Sequence, residues 1–156
     1  MPERWLGMVI SSDKVVAVDV EVPDSGPLIL QADHSWHLQQ GDKGAAYRTM
    51  HQQVADYTKE NGIARVVIKA SALSQGAMRL AHLESAELRG VVISAAATVA
   101  ATRLLTKAHI SRTFGSRKVD EYIGDDSFWA TEISGSPLRI GSREAAMVLL
   151  ASRNAK

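Results

Sequence analysis

The sequence predicts an α/β fold in which a three-stranded antiparallel meander precedes alternating helices and strands. Segments 5–10 and 15–22 are rich in β-branched residues, and the turn-forming residues 11–14 between them predict a hairpin. A turn containing Pro and Gly at 23–27 then leads into a third strand, predicted over 28–38. Beyond it, apolar residues recur at helical spacing.

Alternation along the second strand separates its two faces. Asp19 and Glu21 lie two residues apart on one face, opposite a row of valines at 16, 18, 20 and 22. A carboxylate pair of this kind could bind a cation or act in acid–base catalysis. The pattern favours a simpler interpretation, in which the valines are buried and the acids face solvent.

The next segments predict a helix and a buried strand. Apolar residues at 46, 50, 54 and 57 form one helical stripe behind the possible cap Asp42, and Asn61-Gly62 ends the helix. The apolar run 63–68 follows at once and predicts a buried strand.

Segment 77–101 could contain a strand at 91–93, but its apolar spacing favours a helix that runs through Gly90, followed by a short strand at 99–105. A short helix is predicted at 107–114, closed by Gly115, and a polar acidic stretch follows as a loop. Ser142 is predicted to cap a last helix over 143–152.

Composition limits the chemistry. The 156 residues contain no cysteine, which excludes disulfides, zinc fingers, iron–sulfur clusters and thiol nucleophiles, and leaves His and carboxylates as metal ligands. The length fits a single domain over 1–156, and the least polar stretch is too short for a membrane helix, so we expect a cytoplasmic protein that does not contact a membrane. A net charge of +1 argues against a dominantly electrostatic partner.

The order of elements resembles the ribonuclease-H-like fold over about residues 5–152. It is most similar to the resolvase (RuvC-like) branch of that superfamily, and to small bacterial proteins with the same plan. The resemblance rests on the first strand WLGMVI and on VVIKASALSQGAMRLAHLESAELRGVVISAA, residues 66–96. It implies a mixed sheet with helices on both faces.

Nucleases of this family hold two metal ions with carboxylates from the first strand, the fourth strand and the last helix. At those places this chain offers Val9, Ile10 or Ser11, then Lys69 and Ala70, and finally Glu144. A lysine opposes a divalent cation, and one carboxylate cannot hold two metals. The resemblance therefore implies the fold, while these residues argue against the family chemistry, and we expect no metal or other cofactor.

We expect a catalytically degenerate domain that binds a protein partner, a second copy of itself or nucleic acid. The alternative is a nuclease dependent on Mg²⁺ or Mn²⁺ whose acids have moved to Asp19, Glu21, Glu84 and Glu144. The Ala-rich segment 90–101 has side chains small enough to let two copies approach closely.

Charge is distributed unevenly near the C-terminal third. Five cations lie in a stretch without acids, namely Arg103, Lys107, Arg112, Arg117 and Lys118, and four acids follow directly at 120, 121, 125 and 126. The cations could contact the phosphates of nucleic acid, with Phe114 available for stacking. Equally, the two blocks could pair with each other or with a second copy.

Three other patterns favour structural roles. His34 and His37 point to opposite faces of a strand, so they make a poor metal pair. Glu84 and Glu87 are expected to pair with basic residues of their own helix. Phe128-Trp129 is expected to anchor a loop to the core, although an exposed pair would instead anchor an interface. The sequence contains no nucleophile elbow, Walker loop or dinucleotide fingerprint.

Overall fold

A computed structural model of the chain describes residues 2–72, 76–115 and 117–154. Its strands are β1 (Glu3–Ser11), β2 (Lys14–Val22), β3 (Leu28–His37), β4 (Ile63–Lys69), β5 (Ala101–Leu105) and β6 (Ile133–Ser134). Its helices are α1 (Lys43–Glu60), α2 (Leu80–Ala97), α3 (Lys107–Phe114), α4 (Val119–Ile123), α5 (Asp126–Glu132) and α6 (Arg143–Asn154). The predicted α/β class is confirmed.

The strands form one mixed sheet in the order β5-β4-β1-β2-β3-β6. Strands β1, β2 and β3 pair antiparallel as the predicted meander, whereas β4 pairs parallel with β1, β5 parallel with β4 and β6 parallel with β3. The parallel strands β1 and β4 therefore end side by side, with Met8 opposite Ile68.

Each face of the sheet carries a hydrophobic core. Helices α1 and α2 cover one face, where Leu6, Met50 and Val92 are buried together, and we term it the α1/α2 face. Helices α3 to α6 cover the other, where Val18 and Leu149 are buried, and we term it the α6 face. In the described part of the chain, no helix is both long enough and apolar enough to cross a membrane.

The prediction that one face of β2 is exposed to solvent is wrong. The valines at 16, 18, 20 and 22 lie in the core of the α6 face, as expected. Val15, Ala17 and Asp19, on the opposite side, have no solvent exposure either. The reason is that α1 packs over this side of the strand, and its Tyr57 contacts Asp19 directly.

Helix boundaries follow the predicted signals. The Asp42 side chain accepts a hydrogen bond from the Ala45 amide at the start of α1, and Gly62 beyond its end has φ +61°. Helix α2 continues through Gly90, and Gly115 closes α3 with φ +76°. Ser142 directly precedes α6, but the hydrogen bond of its hydroxyl is donated to Asp33 Oδ1 of β3 at 2.6 Å, so its capping of α6 stays a prediction.

The acidic stretch is not a loop, because α4 and α5 occupy most of it. The Asp125 side chain caps α5 by accepting the Phe128 amide, and the buried Trp129 donates its indole N–H to the Tyr122 carbonyl at 2.9 Å. Phe128 packs partly buried against the same core. The anchoring role predicted for this aromatic pair is confirmed, although a helix carries it.

Candidate functional site

A groove of about 360 Å³ lies where the carboxyl ends of β1 and β4 meet the side of α2. In open α/β sheets, ligands bind in the crevice outside the carboxyl ends of parallel strands. The strand ends contribute Val9, Ile10, Lys69 and Ala70, and the loop and α2 contribute Ser71, Ala72, Met78, His82, Leu83, Ser85, Ala86 and Arg89.

Arg89 reaches from α2 to tie the two strand ends together. Its Nε donates to the Lys69 carbonyl at 3.2 Å, and one terminal nitrogen donates to the Ile10 carbonyl at 3.1 Å. The other terminal nitrogen donates to the Ser71 hydroxyl at 2.5 Å. The side chain is half-buried, and burial lowers the pKa of Arg89 from its ordinary value. A fixed guanidinium therefore lies across the ends of β1 and β4.

Lys69, the last residue of β4, forms an ion pair with Glu144 of α6. The two side chains are 24% and 33% exposed, so water screens the pair only partly. The position of Glu144 follows from the close packing of α6 on β1, where a Cβ added to Gly7 would lie 2.3 Å from the Ala145 carbonyl oxygen. The Glu144 carboxylate therefore already has a cationic partner.

These residues do not fit the two-metal site that the family resemblance implies. Val9 is an apolar, half-buried residue, and the acid nearest to it in the sequence, Asp13, lies exposed in the hairpin turn after β1. Divalent cations need several negative oxygens, whereas this edge presents an ammonium and a guanidinium. Across residues 2–72, 76–115 and 117–154, no three His, Asp or Glu side chains are close enough to hold a metal ion.

The four acids of the alternative site lie apart. Asp19 is enclosed on the α1/α2 face, where it accepts hydrogen bonds from Arg4 Nε at 3.2 Å and from the Tyr57 hydroxyl at 2.6 Å. Glu21 is on the same strand face and partly exposed. Glu84 extends from α2 to Lys43 Nζ at 3.4 Å, while Glu144 belongs to α6 beyond the opposite face. The structure does not bring them together.

Glu84 and Glu87 do not pair within their own helix, contrary to prediction. Glu84 pairs with Lys43, and Glu87 accepts a hydrogen bond from the Tyr47 hydroxyl at 2.9 Å. Both partners lie on α1. Because α1 packs against α2, the side chains of Lys43 and Tyr47 lie within contact distance of the two glutamates.

His34 belongs to an aromatic cluster beside Asp19. Its ring lies 5.6 Å from that of Trp36 and 5.2 Å from that of Tyr57. His37 is exposed, at the end of β3. Burial, followed by the hydrogen bond to Asp19, raises the pKa of Tyr57 well above its usual range. The rings of His34, Trp36 and Tyr57 therefore pack together beside the ion pair between Arg4 and Asp19.

The basic segment is partly neutralised by the acidic run that follows it. Lys107 pairs with Asp120 at 3.4 Å, and Arg117 pairs with Asp125 at 2.9 Å while lying over the Tyr122 ring. Arg103 contacts His109 at 3.5 Å. Arg112 and Lys118 are exposed and form no ion pair within the described residues. They line a shallow depression between α3 and α4.

No protein-family model matches this sequence, and no curated protein matches it significantly. Solved structures do match. Thermus thermophilus RuvC in complex with a Holliday junction substrate is 10% identical, with a TM-score of 0.74 over 97% of this chain and 93% of that chain. The chain has the fold of the RuvC resolvases. A second Thermus thermophilus RuvC structure gives a TM-score of 0.73 at 10% identity and the same coverage.

The yeast mitochondrial Holliday junction resolvase Ydc2 matches with a TM-score of 0.59 at 11% identity, over 97% of this chain and 79% of that chain. At these identities the agreement concerns the fold. It confirms the ribonuclease-H-like mixed sheet and the likeness to its resolvase branch.

Sequence reasoning missed Arg89, which it assigned to surface charge pairing on α2. One signal was available: Arg89 stands beside Leu88, which belongs to the apolar stripe predicted for this helix, so its side chain lies at the border of the buried face.

Proposed function

We propose that this chain is a non-catalytic domain of the resolvase fold that acts by binding. The observation that carries the proposal is the guanidinium of Arg89 across the ends of β1 and β4, beside the ion pair between Lys69 and Glu144. Both features occupy the edge of the sheet where a two-metal nuclease needs carboxylates.

The electrostatics of this edge support the proposal. Two divalent cations about 4 Å apart repel each other and depend on several carboxylates for compensation. Here a metal would have to displace Lys69 from Glu144 and approach Arg89, which is fixed by three hydrogen bonds. Both steps cost free energy, so we expect this edge of the sheet to exclude a divalent metal ion.

A cleavage assay tests this proposal. The purified protein is incubated with a four-way DNA junction and with Mg²⁺ or Mn²⁺, and we expect no product above the level without protein. Cleavage that depends on the metal and is lost in Glu84→Gln or Glu144→Gln would contradict the proposal. It would favour the alternative, a nuclease with relocated acids.

The binding partner we favour is another protein, through the groove at the ends of β1 and β4. Met78 and Leu83, which line it, are 60% and 50% exposed. Exposed apolar side chains clustered in this way are typical of protein interaction surfaces. A second copy of the chain is one such partner, and light scattering on the concentrated protein detects it.

Nucleic acid is a second candidate partner, favoured by the unpaired cations Arg112 and Lys118 and by the RuvC structure that holds a Holliday junction. Its test is binding of a DNA junction at several salt concentrations. Counterion release predicts affinity that falls with salt and falls further in Arg112→Glu with Lys118→Glu.

Arg48→Glu is the matched control for that test, because Arg48 is an exposed arginine of α1, beyond the opposite face of the sheet. Affinity that ignores salt, or falls equally in Arg48→Glu, would exclude this role for the basic segment. Arg117 is unsuitable for the test because it already pairs with Asp125.

A further inference from the structure

We propose that the groove between α2 and the ends of β1 and β4 binds a peptide segment of a partner protein. A carboxylate of the peptide lies against Arg89, and a neighbouring apolar side chain lies against Met78 and Leu83. This inference rests on the proposed function, because a metal centre at the same edge would leave no place for the peptide.

Arg89 has no carboxylate partner among the residues that the structure describes. It is half-buried, and within the described residues it donates only to two backbone carbonyls and one hydroxyl. The side chains outside the described ranges include no Asp or Glu that could compensate it. A partly desolvated cation without a counter-ion favours an incoming anion.

Arg89 also retains hydrogen-bond donors for a ligand. A guanidinium carries five N–H groups, and three are engaged here, so two remain for a ligand. Lys69 contributes little to an anion, since Glu144 already neutralises it. The groove therefore suits one anionic group rather than a row of them.

The mostly apolar lining of the groove favours a peptide over nucleic acid. Apolar side chains, among them Ala70, Ala72, Met78, Leu83 and Ala86, make up the larger part of the lining around the guanidinium. The polar residues Lys69, Ser71, His82 and Ser85 complete it. A nucleic-acid backbone presents successive hydrated phosphates and depends on several cations. A volume of about 360 Å³ lies at the small end of ligand cavities and accommodates about two side chains.

The test uses the full chain labelled with ¹⁵N and two blocked pentapeptides as probes. One alternates leucine with aspartate, and the other has asparagine in place of every aspartate. We expect the acidic peptide to shift the amide resonances of Ala70, Ser71 and Ala86, with a dissociation constant below about 1 mM. We expect the asparagine peptide to bind at least about tenfold more weakly, since it lacks the charge.

Two variants that add the same charge to α2 locate the site. Leu83→Glu places a carboxylate in the wall of the groove and should weaken the acidic peptide about tenfold or more. Leu80→Glu is the control, because Leu80 is 70% exposed and does not line the groove. The Leu80→Glu variant should bind the acidic peptide with the affinity of the wild type.

Equal binding of the two peptides would overturn the proposal, as would equal weakening by the two variants. A single-stranded oligonucleotide that shifts the same amides at lower concentration than the acidic peptide would also overturn it. Metal-dependent cleavage in the junction assay refutes the proposed function itself, so the two failures are distinguishable.

Discussion

Asp19 is a carboxylate without solvent exposure, held by the Arg4 guanidinium and by the Tyr57 hydroxyl at 2.6 Å. Removing one partner of a buried ion pair leaves the other charge uncompensated, which strongly destabilises the folded protein. Asp19 is therefore a structural residue that fastens α1 to the sheet.

Replacing Tyr57 with Phe removes the hydroxyl and leaves the ring. We expect a loss of about 1.5–3 kcal/mol in the free energy of unfolding, the range for a hydrogen bond to a charged group. Urea unfolding measures it. Tyr47→Phe is the matched control, because that hydroxyl bonds to Glu87 at an exposed site and its loss should cost about 0.5 kcal/mol or less. Equal losses would contradict the buried role of Tyr57.

Asp33 connects β3 to the segment before α6. Burial acts to raise its pKa, but hydrogen bonds from Arg139 and Ser142 outweigh burial, so the pKa of Asp33 is lowered. Because the folded pKa lies below the unfolded one, the stabilisation is present above about pH 4 and is lost as pH falls through the folded pKa.

Asp33→Asn should therefore flatten the acid side of the stability profile. The free energy of unfolding, measured by urea titration at a series of pH values below about 5, should fall less steeply in the variant than in the wild type. Parallel profiles would show that this carboxylate contributes no pH-dependent stability.

Helix α6 is buried on almost every side, with the run 145–152 inaccessible or nearly so. Its approach to β1 depends on Gly7, where a Cβ would meet the Ala145 carbonyl oxygen and the Leu149 side chain at 2.3 and 2.7 Å. Since α6 carries Glu144, this contact also sets the position of the ion pair with Lys69.

Gly7→Ala and Gly90→Ala should change stability in opposite directions. The first must displace α6 backbone and should cost about 3 kcal/mol or more, at the upper end of overpacking. The second adds a methyl group to a helix at a point with nothing within 4 Å, and should add up to about 1 kcal/mol through helix propensity. Thermal or urea unfolding compares them, and destabilisation of similar size in both would contradict this packing.

Elements were predictable from the sequence where their pattern was long and regular. The valine row of β2 and the stripe on α1 each extend over several residues, and both elements were found. The short helices α4 and α5 were not, because 5- and 7-residue helices offer too few turns for a periodic signal. Tertiary contacts stabilise these two helices, for example the hydrogen bond from the buried Trp129 indole to the Tyr122 carbonyl.

The order of strands in the sheet and the two hydrophobic cores follow from the order of elements along the chain. The candidate site at the ends of β1 and β4 does not. Lys69 and Glu144 are 75 residues apart, and only the packing of α6 on β1 and β4 makes them partners. Arg89 was missed for the same reason, since its acceptors on β1 and β4 are far from it along the chain.

The proposed function rests on the cations at the ends of β1 and β4, where the family resemblance implies a metal site. The most direct test is a Mn²⁺ titration followed by electron paramagnetic resonance, with wild type and Lys69→Glu side by side. We predict no saturable Mn²⁺ site in the wild type and a gain in affinity in the variant, where a second carboxylate joins Glu144. A saturable site in the wild type that disappears in Glu144→Gln would contradict the proposed function.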